Sequence, residues 1–227
     1  MAMNATSDRE CLLEGVTLTR SANVLRVSSA TPLRVLGCPN VGDDLALTRN
    51  LVLMSMREAR QSAEPEQHLL DWAMQAGIQE PFVGVLTTAT AENCIQVTEE
   101  TAKWKLTALL FADSAMLCSA GKTMHGDGKA DGSIDIIILT DASLTMGAMV
   151  SAMITTTEAK VSALVENGAT TSEGYIATGA PADRVVVACL SRGERIRQAG
   201  PATQFGHLVG KAIHEGLSRA LQARHAQ

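Results

Sequence analysis

The run from Ile134 to Leu139 constrains the fold more than any other part of this sequence. It is apolar and mainly β-branched apart from one aspartate, which predicts a strand that is buried on both faces. The segment from Leu144 to Asn167 follows closely, and its apolar residues recur at helical spacing and form one stripe. We expect Asp141 or Ser143 to cap the start of this helix and Gly168 to end it. A buried strand joined to a helix with one apolar face predicts a sheet layered against helices.

Other segments repeat these two patterns along the chain. A hairpin is predicted from Leu12 to Ser29, with strands at Leu12 to Thr19 and Val24 to Ser28. Helical spacing recurs in two segments, Glu66–Gln75 and Phe205–Ala223. The remaining strand-like runs are Leu33–Leu36, Leu51–Met56, Phe82–Thr87, Cys94–Thr98, Trp104–Phe111 and Val185–Leu190. We expect a single domain over residues 1–227 of the α+β class, with a mixed, largely antiparallel β-sheet layered against two long helices.

The composition excludes several classes of partner. Hydrophobic residues make up 46% and charged residues 19% of the chain, which is typical of a globular protein. A net charge of -5 provides no basic field for nucleic acid. No run approaches the roughly 20 apolar residues of a membrane span, and the polar start lacks an apolar stretch of signal-peptide length. Five widely spaced cysteines indicate free thiols in a reducing cytoplasm. We therefore expect a cytoplasmic protein with neither nucleic acid nor membrane as partner, and a homo-oligomer stays open.

Four motifs follow one another in the second half of the chain. They are Ser133–Ala142, Ile154-Thr-Thr-Thr-Glu-Ala-Lys160, Ile176-Ala-Thr-Gly179 and Asp183-Arg-Val-Val-Val-Ala188. In this order and spacing the chain resembles the adenosylcobinamide amidohydrolase family. In that family a strand ending in aspartate leads to a helix with a Thr-Glu-Ala-Lys signature, and a glycine-containing turn leads to a valine strand. Weaker similarity at Leu33–Leu36, Val41-Gly42, Gly84–Ala89 and Phe205–Gly210 extends the resemblance over roughly residues 10 to 217.

The resemblance implies a hydrolase for the amide that joins the propionyl side chain of a corrin ring to aminopropanol. The products would be adenosylcobyric acid and an aminopropanol, a step of cobalamin salvage. The implied ligand is a small corrinoid molecule, and cobalt is expected only as part of that substrate. No other cofactor is implied.

Several positions depart from the family pattern. The turn that carries two hydroxyls in the family is Gly179-Ala-Pro-Ala-Asp183 here, and Asp135 stands in place of an asparagine. The other replaced positions are Leu53, Met116 and Ala202. Hydroxyls, amides and a histidine could each polarise an amide carbonyl, which these side chains cannot do. Two alternatives therefore stay open: a divergent protein that binds a corrinoid or another tetrapyrrole-like ligand without hydrolysis, and a hydrolase of a different amide on the same fold.

The candidate catalytic residues are Glu158, Lys160 and Asp141. Amide hydrolysis needs a base, a proton donor for the leaving amine and a stabilised oxyanion. The family signature favours Glu158 as base and Lys160 as oxyanion partner, although both could be boundary residues with their stems on the core. Asp141 ends the buried strand, where it could equally be a helix cap. We expect the helix carboxylate and ammonium to meet Asp141 and Asp183 around one cleft.

The candidate substrate-binding residues are Thr178, Gly179, Asp183, Thr157 and His207. Thr178 keeps a hydroxyl beside the altered turn, whereas Asp183 could simply bond the amides of that turn. His207 falls outside the apolar stripe of the last helix, so a solvated histidine is the plainer interpretation.

Other reactive side chains favour structural interpretations. Cys38 and Cys118 could act as thiol nucleophiles or soft metal ligands, but buried small hydrophobes are favoured. No metal site is predicted, because the histidines lack partners at metal-ligand spacing. The segment Asp127–Asp135 hints at a calcium loop, but Lys129 at a ligand position favours a flexible turn.

Overall fold

The structure is a computed structural model that describes residues 8–21, 23–56, 64–79, 81–113, 116–124 and 132–225. Its strands are β1 Asp8–Leu13, β2 Val16–Arg20, β3 Val24–Gly37, β4 Leu45–Ser55, β5 Val83–Thr87, β6 Ile95–Glu100, β7 Lys105–Asp113, β8 Ser133–Leu144 and β9 Arg184–Ile196. Its helices are α1 Pro65–Gln75, α2 Met146–Glu166 and α3 Gln204–His225, with a 3-10 turn at Ala91–Asn93. Residues 125–131, which include most of the segment that hints at a calcium loop, lie outside the described residues.

The strands form one curled sheet in the order β1-β2-β3-β9-β8-β7-β6, with β4 between β3 and β5. The pairs β4–β5 and β8–β9 are parallel, and the other pairs are antiparallel. The α+β class and the mainly antiparallel sheet are therefore confirmed. The expectation of two long covering helices is not confirmed. The described residues contain three α-helices, of which α2 and α3 have 21 and 22 residues.

Strand β8 lies at the centre of the fold. It pairs with β7 on one side and β9 on the other, so both of its edges are covered. On one face Ile134, Ile136 and Ile138 pack with the buried residues of α2 and α3. On the other face Ile137 and Leu139 pack with apolar residues of β3, β4 and β5. The prediction of a strand buried on both faces is thus confirmed.

Helix α2 begins at Thr145, whose Oγ1 accepts a hydrogen bond of 3.1 Å from the N–H of Ala148. The predicted caps Asp141 and Ser143 are therefore wrong, because β8 continues past both of them to Leu144. The predicted end is confirmed, since Gly168 follows the helix with φ of 65°, a value that favours glycine. Because α2 leaves the end of β8 and packs back over the sheet, its C-terminal half lies over the start of β8.

Helix α1 covers a smaller apolar layer on the face of β4 and β5 that is turned away from the cluster they share with β8. Its buried Leu69 and Ala73 pack against Val52, Met54 and Phe82. Among the described helices none combines the length and the apolarity needed to cross a membrane. The sheet is consequently covered from both sides near β4 and β5 as well as near β8.

Candidate functional site

The starts of β8 and β9 form the edge at which the sequence motifs meet. Because the two strands are parallel, Asp135 near the start of β8 pairs with Arg184 at the start of β9. The end of β5 at Thr87 reaches the same edge, as do Lys160 of α2 and the turn before Asp183. We call this region the β8–β9 start. Segments that are far apart in sequence converge here, which makes it the candidate site.

A buried ion pair holds one face of the β8–β9 start. Lys160 Nζ bonds Asp183 Oδ2, and the two side chains are only 8% and 15% exposed. The other carboxylate oxygen, Asp183 Oδ1, accepts from the backbone N–H groups of Ile134 at 2.8 Å and Ala180 at 3.0 Å. Asp183 therefore does bond turn amides, and in addition it ties the turn, the strand and the helix together.

The glycine of the turn lies directly against this pair. A Cβ atom added at Gly179 would stand 2.9 Å from Lys160 Nζ and still closer to Asp183 Oδ2. Beside it, Thr178 Oγ1 accepts from the N–H of Ala120 at 2.9 Å and so anchors the segment after Cys118. The absence of a side chain at Gly179 is thus required by the ion pair.

Cys118, one of the two cysteines considered as nucleophiles, does not have the surroundings of a reactive thiol. Burial raises the pKa of the Cys118 thiol, with a further increase from Asp183 and a smaller opposing effect of Lys160. A raised pKa disfavours the nucleophilic thiolate. The expectation that both would be buried is also wrong, because Cys118 is half-buried and Cys38 is exposed.

Asp135 lies on the opposite face of β8 at the same edge. Its side chain is fully buried, and its Oδ2 accepts a hydrogen bond of 2.6 Å from Ser133 Oγ. Its Oδ1 has no hydrogen-bond partner among the described residues. Burial raises the pKa of Asp135 to about 7, against the opposing effects of Ser133, Thr87 and Arg184. A buried carboxyl that titrates near neutral pH is typical of functional sites.

Thr88 connects this buried carboxyl to the surface. Its Oγ1 lies 3.0 Å from Ser133 Oγ, and its backbone N–H donates to the same oxygen at 3.2 Å. Thr88 lines a cleft of about 390 Å³, which also includes Glu92, Asp113 and Ala220. The cleft lies between the segment after β5, the end of β7 and the C-terminal part of α3.

Sequence reasoning missed Asp135, Ser133, Thr87 and Thr88 as candidates. A signal was present, because a single carboxylate within a run of isoleucines must either find partners or carry a function. The sequence of β8 does not show which partners this carboxylate finds, since Thr87 ends a strand, and Thr88 follows it, almost 50 residues earlier in the chain.

Two predicted site residues lie at the other end of β8. Asp141 Oδ1 accepts from the N–H of Lys105 at 2.9 Å, six residues and about 20 Å along the strand from Asp135. His207 is exposed and lines a separate, mostly apolar cleft of about 380 Å³ with Trp104 and Leu208. Neither side chain reaches the β8–β9 start.

Two more predicted site residues lie on the outer face of α2. Glu158 is exposed, because two residues correspond to about 200° of rotation from the buried Lys160. Thr157 is also exposed, and its hydroxyl donates to the carbonyl of Met153 in its own helix at 3.0 Å.

The predicted single cleft is therefore wrong for Glu158 and Asp141. The structure does bring together Lys160, Thr178, Gly179 and Asp183.

Among the described residues no three His, Cys, Asp or Glu side chains converge in a way that could hold a metal ion. Fold and site together define an α+β protein with a polar site at the shared edge of two parallel strands. The chain belongs to the adenosylcobinamide amidohydrolase family, whose sequence profile matches residues 10–227.

Two relatives and one solved structure are similar to this chain. An adenosylcobinamide amidohydrolase of Methanosarcina mazei is 32% identical over 169 residues, which cover 70% of this chain and 76% of that protein. An uncharacterized protein of Methanocaldococcus jannaschii is 38% identical over 92 residues, 40% of this chain and 36% of that protein. A crystal structure of a Pyrococcus horikoshii protein aligns with 90% of this chain and 77% of its own, with a TM-score of 0.44 and 13% identity.

Proposed function

We propose that this protein hydrolyses the aminopropanol amide of adenosylcobinamide or a related corrinoid. The observation that carries the proposal is the family match over residues 10–227. The relative from Methanosarcina mazei, which carries the name of this activity, supports it over 70% of the chain.

The β8–β9 start is the proposed place of this reaction. On one face of this edge it offers a cation in Lys160, and on the other a near-neutral carboxyl in Asp135 with the hydroxyls of Ser133 and Thr88. Hydrolysis of an amide needs these kinds of groups, namely a proton acceptor, a proton donor and a group that orients the reacting atoms. In this proposal Thr178, Gly179 and Asp183 hold the binding surface next to Lys160.

The positions at which this chain departs from the family leave the scaffold of the turn in place. At Ala180 the backbone N–H, and not a side chain, bonds Asp183 at 3.0 Å. At Ala182 the backbone N–H bonds the carbonyl of Gly132 at 3.3 Å. Leu53, where the family has an asparagine, packs in the core next to Val85. Backbone groups thus maintain the turn without the missing hydroxyls.

The direct test is incubation of the purified protein with adenosylcobinamide, with chromatographic detection of the corrinoid and of free aminopropanol. We expect both products at catalytic turnover, and no aminopropanol from adenosylcobyric acid, which lacks the aminopropanol amide. A change in the corrinoid spectrum on binding without release of amine would support a binding protein instead. No response to the corrinoid would favour a hydrolase of a different amide.

Replacing Gly179 by alanine should lower kcat/KM by on the order of 100-fold, because the new Cβ displaces the Lys160–Asp183 pair by a few tenths of an ångström or more. The matched control is Gly147→Ala, at the other end of α2, where an added Cβ meets no atom closer than 4.0 Å. Steady-state kinetics of both variants decide the question. Equal kcat/KM values for the two variants would contradict a role for the pair in the reaction.

A further inference from the structure

Three side chains form a continuous hydrogen-bonded path from the cleft into the core. Thr88 Oγ1 is 3.0 Å from Ser133 Oγ, which in turn donates to Asp135 Oδ2 at 2.6 Å. Thr88 is half-buried at the wall of the cleft, whereas Ser133 and Asp135 are buried. The path therefore leads from a place that a ligand can reach to one that it cannot.

The path has a defined direction when Asp135 is ionised. A serine hydroxyl has a single hydrogen, and that of Ser133 is directed to the carboxylate. Either atom of the contact between Thr88 and Ser133 could donate in principle. Because the hydrogen of Ser133 is already used, Thr88 must donate to Ser133. A proton taken up by Thr88 on the cleft side can thus be passed inward to Asp135 in two concerted transfers.

A purely structural role accounts poorly for Asp135. Burying a carboxyl among isoleucines is costly unless its oxygens are fully hydrogen-bonded. Among the described residues Ser133 bonds Oδ2, the Thr87 hydroxyl acts on the carboxyl more weakly, and Oδ1 has no partner within hydrogen-bond distance. Its pKa of about 7 means that it exchanges a proton at neutral pH. A proton acceptor is most effective when its pKa lies near the working pH.

We propose that Thr88 is the catalytic group that takes the proton of the attacking water, and that Ser133 and Asp135 are positioning residues that carry this proton inward. This inference rests on the proposed function. The water oxygen bonds to the amide carbonyl carbon while its proton moves to Thr88 Oγ1. The proton of Thr88 moves to Ser133, and the proton of Ser133 moves to Asp135 Oδ2. When the C–N bond breaks, the same path returns one proton to the leaving nitrogen, which gives a carboxylic acid and a free amine.

The test compares Thr88→Val and Ser133→Ala with the control Thr98→Val. Thr98 is matched to Thr88 because its hydroxyl also contacts a buried hydroxyl, that of Thr107 at 3.1 Å, but on β6 and β7. We expect Thr88→Val and Ser133→Ala to lower kcat by about 10² to 10⁴-fold, with KM changed by less than about threefold, and Thr98→Val to keep wild-type kinetics. Thr88→Ser, which keeps the hydroxyl, should retain activity within about tenfold.

A pH profile separates proton transfer from packing. In the wild type kcat/KM should rise with pH through about 7, as Asp135 becomes the carboxylate. The residual activity of Ser133→Ala should lose this rise, whereas Thr88→Ser should keep it. Thermal unfolding of each variant verifies that the protein assayed is folded.

Each remaining result has a defined meaning. Kinetics of Thr88→Val and Ser133→Ala within about threefold of Thr98→Val, with an active wild type, would overturn the relay and leave the proposed function intact. Equal losses in Thr88→Ser and Thr88→Val would also overturn it, because the hydroxyl would then not be the decisive group. A wild type that releases no amine would overturn the proposed function and the relay together.

Discussion

Replacing Asp135 by asparagine should stabilise the protein increasingly as the pH rises. We expect the free energy of unfolding of the variant, relative to wild type, to be about 4 kcal/mol larger at pH 8 than at pH 4. The reason is that burial raises the pKa of Asp135 from 3.8 to about 7. Asparagine has no charge to bury and can still accept the hydrogen bond of Ser133.

The sign follows from proton binding. Between pH 4 and pH 7 the folded wild type holds a proton on Asp135 that the unfolded chain has released. Stability therefore falls with pH across this window and contributes no further change above about pH 8. Urea unfolding of wild type and Asp135→Asn at several pH values measures the difference directly.

The matched control is Asp44→Asn, which removes a carboxylate from an exposed loop position. It should change stability by less than about 0.5 kcal/mol at each pH. A stability difference for Asp135→Asn that does not grow between pH 4 and pH 7 would contradict a raised pKa. A gain in stability together with a loss of turnover would identify Asp135 as a residue retained for function at a cost in stability.

Replacing Lys160 by methionine should lower the free energy of unfolding by about 3 to 5 kcal/mol. The substitution leaves the nearly buried carboxylate of Asp183 without its cation, although two backbone N–H groups still bond its other oxygen. Removing one partner of a buried ion pair is costly because the remaining charge is uncompensated. Urea unfolding at neutral pH provides the measurement.

The double variant Lys160→Met with Asp183→Asn should recover most of that loss, because no unpaired charge remains. The surface pair of Arg192 and Glu14, at 3.0 Å and with side chains 40% and 91% exposed, supplies the comparison. Arg192→Met should cost less than about 1 kcal/mol. If Lys160→Met and Arg192→Met are equally stable, the pair at the β8–β9 start does not hold the turn in place.

The sequence was sufficient to predict the centre of the fold. A strand that is apolar on both faces is stable only where both faces are covered, and both faces of β8 are covered. Helix α2 and the end at Gly168 also follow from local pattern, since spacing and glycine chemistry act within a few residues.

Strand β3 shows what local pattern could not resolve. Val24–Ser28 and Leu33–Leu36 were expected as separate strands, but they are the two halves of one bent strand. The first half pairs with β2 and the second with β9, and the register to β4 shifts between Ser28 and Leu33. The predicted strand Leu12–Thr19 is in turn divided by a tight turn at Gly15, whose φ is 77°. Which strands pair depends on the whole sheet.

Only part of the candidate site could be predicted, because its assembly also depends on the whole sheet. The sequence patterns include the motif around Lys160 and the turn before Asp183. The rotation of the helix about its axis, which the motif does not specify, decides which of its side chains faces the sheet. In the structure this rotation buries Lys160 and exposes Glu158. Asp141 lies near the other end of β8, away from the candidate site. Sequence spacing alone does not show which end of a strand a later turn approaches.

The parallel arrangement of β8 and β9 has an electrostatic consequence. In open parallel sheets ligands usually lie beyond the carboxyl ends of the strands, where helices point their positive amino ends. Here the cleft lies at the amino ends, and the C-terminal part of α3 forms part of its wall through Ala220 and Ala223. The C-terminus of α3 carries partial negative charge. In the hydrolysis proposed above, this charge would disfavour phosphate-like groups in the cleft and favour the ammonium that a departing amine forms once it has been protonated.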